Sequence, residues 1–406
     1  MKFVENIEFS KWDNFVSNHK YSHFLHSYEW GEVSSQNRWQ TFYVGLEEND
    51  QLVAAALLLK KNLYGNFSYF YIPRGFVIDY DDENLLKIFT EEINKFTKKH
   101  NSIYFIIDPD IKLHTIDKDA KIVEGENNYK LVSYLKKIGY KQKRLNKFFE
   151  NQQPRFTFRV LLDNEENINQ RYSKTVHRFI KKANFYNVEA YIGNKDDVKD
   201  FVRLMKLTEK RQNFYSHDEK YYDIFYDIFS KNNHVDVMLA KVNLANLVSI
   251  CKKEIETVDN EEKAQKLKEQ LAFYENEAKT KKEAITSGYF TVYYGNKAWY
   301  LYGANDLDYK NTMSNYKLFD FQIKTALLKL DKNKQNIFDE FGTVGDPNTK
   351  NKLGGLHEFK KKFGGEYTEF IGEFEYVQNP LMYAAYKVIL PIRRYFVRKK
   401  LHKKGK

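Results

Sequence analysis

Between Leu244 and Ile285 the chain contains neither proline nor glycine, and its apolar residues fall three and four positions apart. That spacing keeps one seam of a helix buried. A first arm carries Leu244, Leu247, Cys251, Ile255 and Val258, and a second carries Ala264, Leu267, Leu271, Tyr274, Ala278 and Ile285. The polar pair Asp259-Asn260 between them suits a turn. The segment predicts an antiparallel helical hairpin. It is either a structural pair within its domain or a projecting arm whose outer positions, dense in Lys and Glu, face solvent.

The sequence on both sides mixes strand and helix patterns, so the hairpin reads as an insertion. At 406 residues the chain exceeds what one hydrophobic core usually serves, and two domains are expected. In the first, Phe9, Trp12, Phe15 and Val16 share a face of a short helix, and Leu85, Leu86, Phe89, Ile93 and Phe96 share one of a longer helix. Strands are expected over Thr41 to Leu46, Leu52 to Lys60, Ser68 to Ile72 and Ile103 to Ile107, the last stopped by Asp108-Pro109, with a helix over Asn128 to Ile138. After Pro154 the layout repeats. Helices are expected over Glu165 to Ala183, Asp196 to Arg211, Asp218 to Ser230 and Thr312 to Leu330. Strands are expected over His234 to Lys241, Ser287 to Tyr294 and Lys297 to Gly303. The fold class is therefore α+β, two similar units in tandem. The expected boundaries are 1–152 for the first unit, 153–243 with 286–375 for the second, 244–285 for the hairpin, and 376–406 for a basic segment, part of whose residues 376–395 rejoin the first unit.

The net charge of +11 is not spread evenly. Nine of the 66 Lys and Arg residues lie from Tyr376 onward, where there is no Asp or Glu, leaving 57 basic against 55 acidic residues elsewhere. A nearly neutral body with one basic end is unlike a general nucleic-acid binder. The single cysteine excludes an internal disulfide or a cysteine metal cluster and fits a reducing cytoplasm. The N-terminus, interrupted by Glu5, Glu8, Lys11 and Asp13, is not of signal-peptide type. The apolar run Leu52 to Leu59 is far shorter than the about 20 residues that span a bilayer. There is no GxxxxGK[ST] loop, no GxSxG elbow and no second histidine after His357-Glu358 to complete a zinc-protease helix. No glycine is followed two places later by Gly or Ala, which removes dinucleotide loops and the pyrophosphate loop of CoA-dependent acyltransferases. Any group transferred thus arrives activated on something else, and no cofactor or metal is expected.

Several separated blocks carry a resemblance. They are FLHSYEWGEVS (24–34), YIPRGFVID (71–79), IIDPD (106–110), QQPRFTFRVLLD (152–163), SKTVHRFIKKA (173–183) and FVRLMKLTEKRQNF (201–214). VMLAKV (237–242), AWYLYGAN (298–305), FGTVGDP (341–347), FKKKFGG (359–365) and IGEF (371–374) follow. Their order and spacing, over nearly the whole chain, resemble the FemABX family of tRNA-dependent peptidyltransferases, which add bridge amino acids to peptidoglycan precursors. The resemblance implies two acyltransferase-like (GNAT-like) subdomains. It also implies transfer of glycine, alanine or serine from aminoacyl-tRNA to lipid II or UDP-MurNAc-pentapeptide, in the cytoplasm. Family members with a coiled-coil arm usually act on lipid II.

An aminoacyl ester is already activated, so the chemical difficulty is the nucleophile. A lysine-type amine has a pKa of about 10.4 and is mostly protonated at neutral pH. Something must take its proton, donors must meet the developing oxyanion, and cations must meet phosphates. Asp108, at a strand end beside Pro109, is the first candidate base. A turn-capping aspartate, with substrate-assisted proton removal, is the alternative. The resemblance makes Arg211 a diphosphate ligand, with a favourable charge at a helix C-terminus as its alternative, and makes Tyr300 and Tyr302 acceptor-pocket tyrosines, with plain core tyrosines as theirs; Tyr215, Arg74 and Trp30 join them as substrate-binding candidates. Tyr300 and Tyr302, two apart on a strand, are expected to share a face. Lys360 matches the lysine that faces the tRNA acceptor end and is expected, with Asp108, to be catalytic; a solvated basic loop is its alternative. The family's other phosphate-binding lysine is replaced by Ser34, which leaves Lys60, Lys61 or Arg74 to supply that contact. The tail from Leu381 joins an apolar stripe to the basic cluster and suits the anionic inner face of a membrane, or tRNA phosphates, with a solvated, frayed terminus as the alternative. Two competing functions are acyl transfer from CoA and a non-catalytic tRNA- or membrane-binding adaptor of the same fold.

Overall fold

The computed structural model describes residues 1–63, 65–147, 152–212, 215–347 and 353–389. The chain forms two compact units. The first comprises Met1–Ile116, Ile122–Arg155 and the chain from Glu369 onward, and the second comprises Asp117–Lys121 and Phe156–Thr368.

In the first unit the sheet order is Lys2–Glu5, Gln40–Glu48, Gln51–Asn62, Ser68–Ile72, Ser102–Ile107, Phe374–Val377 and Tyr140–Gln142. Ala54 to Leu59 are all buried, as expected of a central strand covered on both faces. The helix Glu83–Lys99 begins where the Asp82 side chain accepts from the Leu85 backbone N–H at 2.9 Å, and it buries Leu85, Leu86, Phe89, Ile93 and Phe96. Ser102–Ile107, buried throughout, runs parallel to Ser68–Ile72 and antiparallel to Phe374–Val377. The chain thus returns to the first unit at Glu369, earlier than position 376. Contacts made before the strand Phe374–Val377 hold the chain there: Glu369 pairs with His114 and Arg155, and the Ile371 N–H donates to the Ile111 carbonyl at 2.9 Å.

The second unit carries the strands Glu189–Ile192, Val235–Asn243, Glu283–Tyr294, Lys297–Asn305, Asn336–Asp339 and Phe156–Leu162 in that order, followed by Glu366–Phe370, of which the residues to Thr368 belong to this unit. The expected helix from Glu165 is two helices, Glu165–Arg171 and Lys174–Phe185. Tyr172 turns extended, and Ser173 caps the second helix by accepting from the Val176 N–H. Leu244–Thr257 and Glu261–Ala278 form the hairpin, its second helix capped by Asn260. Leu244, Leu247, Cys251 and Tyr274 are buried in the unit's main core, against which Ile255, Leu267 and Leu271 pack. Ile285 is not part of that seam: it lies in the strand Glu283–Tyr294, paired with Lys241.

The Trp30-Gly31 block shows why its glycine is fixed. In the first unit the Tyr28 and Tyr43 rings stack at 3.8 Å, and a Cβ on Gly31 would stand 1.9 Å from the Tyr43 hydroxyl oxygen. Gly31→Ala should therefore cost about 1–3 kcal/mol in denaturant unfolding. Gly355, in the helix Gly354–Lys360, has nothing within 4 Å of such a Cβ. Gly355→Ala should be neutral or slightly stabilising, and an equal loss in both variants would contradict the packing argument.

Candidate functional site

In the first unit, Asp108 follows the strand Ser102–Ile107 and is 3% exposed. Its carboxylate accepts from the Tyr71 hydroxyl at 2.9 Å and from the Arg74 backbone N–H at 2.7 Å. Arg74 sits at φ 53°, a left-handed conformation unusual for a side-chain-bearing residue, and the Asp108 contact fixes it there. The Arg74 guanidinium donates to the Pro154 carbonyl at 3.1 Å and lies over the Phe370 ring at 4.7 Å. Burial raises the Asp108 carboxyl to about 7, against the pull of the Arg74 charge, with Glu373 adding to the rise. Asp108 and Arg74, 34 residues apart in the chain, thus form one group. Its acid sits near the pH at which it can both hold and release a proton. The turn-capping alternative is present as well, since the capped N–H is that of Arg74.

In the second unit, Lys360 is not a solvated loop lysine: it is 2% exposed at the end of the helix Gly354–Lys360. Its ammonium donates to the carbonyls of Glu340, Phe341 and Gly342, the last at 2.9 Å, and stands 5.1 Å from the Tyr300 ring centre. Phe341 and Gly342 have φ of 49° and 29°, which turns these carbonyls toward one point. Asp339 holds the start of this loop, accepting from Thr157 at 2.6 Å, from Arg159 at 2.9 Å and from the Phe341 N–H at 2.9 Å. Thr343 continues it through His357 at 3.0 Å. Burial lowers the Lys360 amine to about 8, while Glu340 and Asp339 act to raise it. Glu340 is fully buried, and neither carboxylate oxygen has a hydrogen-bond partner among the described residues. Burial lifts its pKa well above the carboxylate range, with Lys360 opposing.

The two strand tyrosines do not share a face. The pairing slips between Phe290–Tyr302 and Thr291–Tyr300, so Leu301 is an extra residue, a β-bulge that breaks the period of two. Tyr300 consequently lies with Tyr289 at 4.9 Å and Phe319 at 5.1 Å. Tyr302 lies on the other face with Tyr222 at 5.4 Å and Phe225 at 6.1 Å, its hydroxyl 2.8 Å from that of Tyr221. His217 stacks on Tyr221 at 3.7 Å, and burial lowers its pKa. Arg211, in the last turn of the helix Val198–Gln212, is exposed and donates to the Asn305 carbonyl at 3.3 Å, at the end of the tyrosine strand, and to Thr208 at 3.4 Å. Tyr215 is 78% exposed.

Trp30 lies on the helix Tyr28–Gln36, edge-on to Phe24 at 5.9 Å. Ser34, on the same helix, is 4% exposed, and Lys61 lies over the Trp39 ring at 4.6 Å. Of the residues suggested in place of a lysine at position 34, Arg74 is the one joined to Asp108. Sequence reasoning did not single out Glu340, His217 or Tyr221. Glu340 directly precedes the FGTVGDP block, whose first two residues supply carbonyls to Lys360; that adjacency was the available signal.

The FemAB family profile matches residues 7–390. The lipid II:glycine glycyltransferase of Staphylococcus epidermidis is 26% identical over 95% of this chain and 95% of its own length, and that of Staphylococcus haemolyticus is 25% identical over the same shares. A crystal structure of FemX superposes with a TM-score of 0.78 at 22% identity, covering 95% of this chain and 99% of that one. A tandem GNAT protein from the clavulanic acid biosynthesis pathway superposes at 0.50, with 7% identity and coverage of 92% and 97%. The fold is accordingly a pair of GNAT-like units.

The Asp108 carboxyl should titrate near 7 in infrared difference spectra against Asp108→Asn. Its folded pKa lies above the unfolded value of about 3.9, so its contribution favours the fold in acid and is lost as pH rises through 7. Relative to the Asn variant, the parent's stability should therefore fall between about pH 4 and 7, by up to roughly 1.4 kcal/mol per pH unit. A parallel pH dependence in the two proteins would contradict this.

Proposed function

As the chain belongs to the FemAB family, we propose that it transfers an aminoacyl group, glycine first among glycine, alanine and serine, from aminoacyl-tRNA to the stem-peptide amine of lipid II. The observation that carries this is the near full-length match to relatives named lipid II:glycine glycyltransferase. In the reaction the acceptor amine attacks the ester carbonyl, an amide bond forms, the bond to the tRNA 3′ oxygen breaks, and the proton that the amine loses passes to that leaving oxygen. A carboxyl near pH 7 suits that proton, which supports Asp108 as base, held in place by Tyr71 and Arg74. Lys360 acts as a positioning residue: its ammonium fixes the loop Glu340–Gly342 and brings positive charge to a buried place. Arg211, exposed at a helix end, suits the acceptor's diphosphate through its planar fork of donors. No helix among the described residues is long and apolar enough to cross a membrane, and a lipid-borne acceptor puts the reaction at the inner face of one.

The test mixes the full chain with glycyl-, alanyl- or seryl-tRNA and either lipid II or UDP-MurNAc-pentapeptide. Glycine transfer to lipid II, abolished by RNase, is the expected result, and Arg211→Ala should raise the KM for lipid II at least about tenfold. No transfer to either acceptor, with tRNA or vesicle binding intact, would overturn the reading in favour of an adaptor.

A further inference from the structure

The last described helix is built inside out. Helix residues 380–389 start after Asn379, whose side chain accepts from the Met382 N–H at 3.1 Å and whose own N–H donates to the Ile103 carbonyl at 3.0 Å. Its polar and aromatic side chains face the first unit. Tyr383 and Lys387 both donate to the buried Glu375 carboxylate, Lys387 at 2.8 Å. Tyr383 and Tyr386 pack on Tyr104 at 5.3 and 6.0 Å, and Tyr386 also lies 6.3 Å from Tyr69. What remains outside is Leu381, Ala384, Ala385, Val388 and Ile389, with Leu381 83% and Val388 66% exposed. At about 100° per residue these five fall on one continuous arc, which contains no polar side chain. A surface helix of a globular unit ordinarily buries its apolar arc. Here the Glu375 contacts fix the opposite orientation.

We propose that this outward arc is a membrane-docking surface, lying in the headgroup region of a bilayer rich in anionic phospholipid. Charge selects the occupant. From Tyr376 onward the sequence carries nine Lys and Arg and no Asp or Glu, complementary to a negatively charged leaflet. The exposed arc is aliphatic, which suits acyl chains and offers no ring on which RNA bases stack. A second copy of the chain would bring the same positive charge against itself. The bulk of that charge, with Ile392, Tyr395 and Phe396, lies in residues 390–406, outside the described residues. The surface goes beyond the proposed chemistry and borrows from it only a lipid-borne acceptor.

The test is co-sedimentation of the full chain with phosphatidylglycerol-containing vesicles and with pure phosphatidylcholine vesicles. The parent should bind the anionic vesicles and not the neutral ones. Leu381→Glu combined with Val388→Glu, both exposed and outside the packed face, should weaken that binding at least about tenfold. Leu328→Glu, an equally exposed leucine in the second unit (72%), should leave it unchanged. Transfer to the soluble UDP-MurNAc-pentapeptide, or the unfolding midpoint, should be the same in all three proteins. Parent-like vesicle binding by the double variant would overturn the proposal, as would a dimer in the parent that the double variant dissolves with vesicle binding unaltered. The readout needs no acyl donor, so its failure leaves the transferase reading standing, and the reverse holds too.

Discussion

One buried ammonium group organises the second unit's candidate site. The loop after the strand Asn336–Asp339 turns three successive carbonyls, those of Glu340, Phe341 and Gly342, toward a single point, with Phe341 in the left-handed region. Carbonyls so converged repel one another, and a side-chain-bearing residue with positive φ costs on the order of 1 kcal/mol. The Lys360 charge offsets both, since a cation at the convergence point gives each carbonyl a charge-assisted hydrogen bond. The Tyr300 ring beside the amine adds its π face. Lys360 in turn is held away from water by the aromatic packing of Phe359 and Phe363 on Phe319. Loop, lysine and tyrosine therefore stand or fall together.

The first unit solves a similar problem with the opposite charge. Asp108 holds the Arg74 backbone in its left-handed turn and accepts from Tyr71. Beyond it, the strand Phe374–Val377 places Glu375 where Tyr383 and Lys387 reach it. In each case a buried charge is satisfied by groups from separate segments, and the geometry of an irregular stretch follows from that satisfaction.

Much of the fold was legible because it rests on periodicity. The burial of Ala54 to Leu59, the helix Glu83–Lys99 and the heptad seam of Leu247, Cys251 and Tyr274 all follow from spacing alone. Where the reading failed, a local feature without a periodic signature decided the outcome. One extra residue, Leu301, sends Tyr300 and Tyr302 to opposite faces, and nothing in WYLYG marks a bulge. Tyr172 ends one helix and Ser173 caps the next, which a continuous apolar pattern concealed. The pairing of Phe374–Val377 with strands on both its sides is non-local, and no spacing within the chain announces it. The contact between Asp108 and Arg74 depends on a turn that composition does not reveal. Glu340 escaped notice since a buried carboxylate and an exposed one look alike in sequence.

The second unit's site depends on Lys360 being a buried cation held by backbone carbonyls. Selective isotope labelling of lysine, with Lys360 assigned through Lys360→Met, allows its amine to be titrated by NMR in the full chain. A midpoint of about 8 is expected, with resistance to solvent exchange while the amine is charged. A midpoint at the ordinary lysine value of about 10.4, with free exchange, would place the amine in water and contradict it.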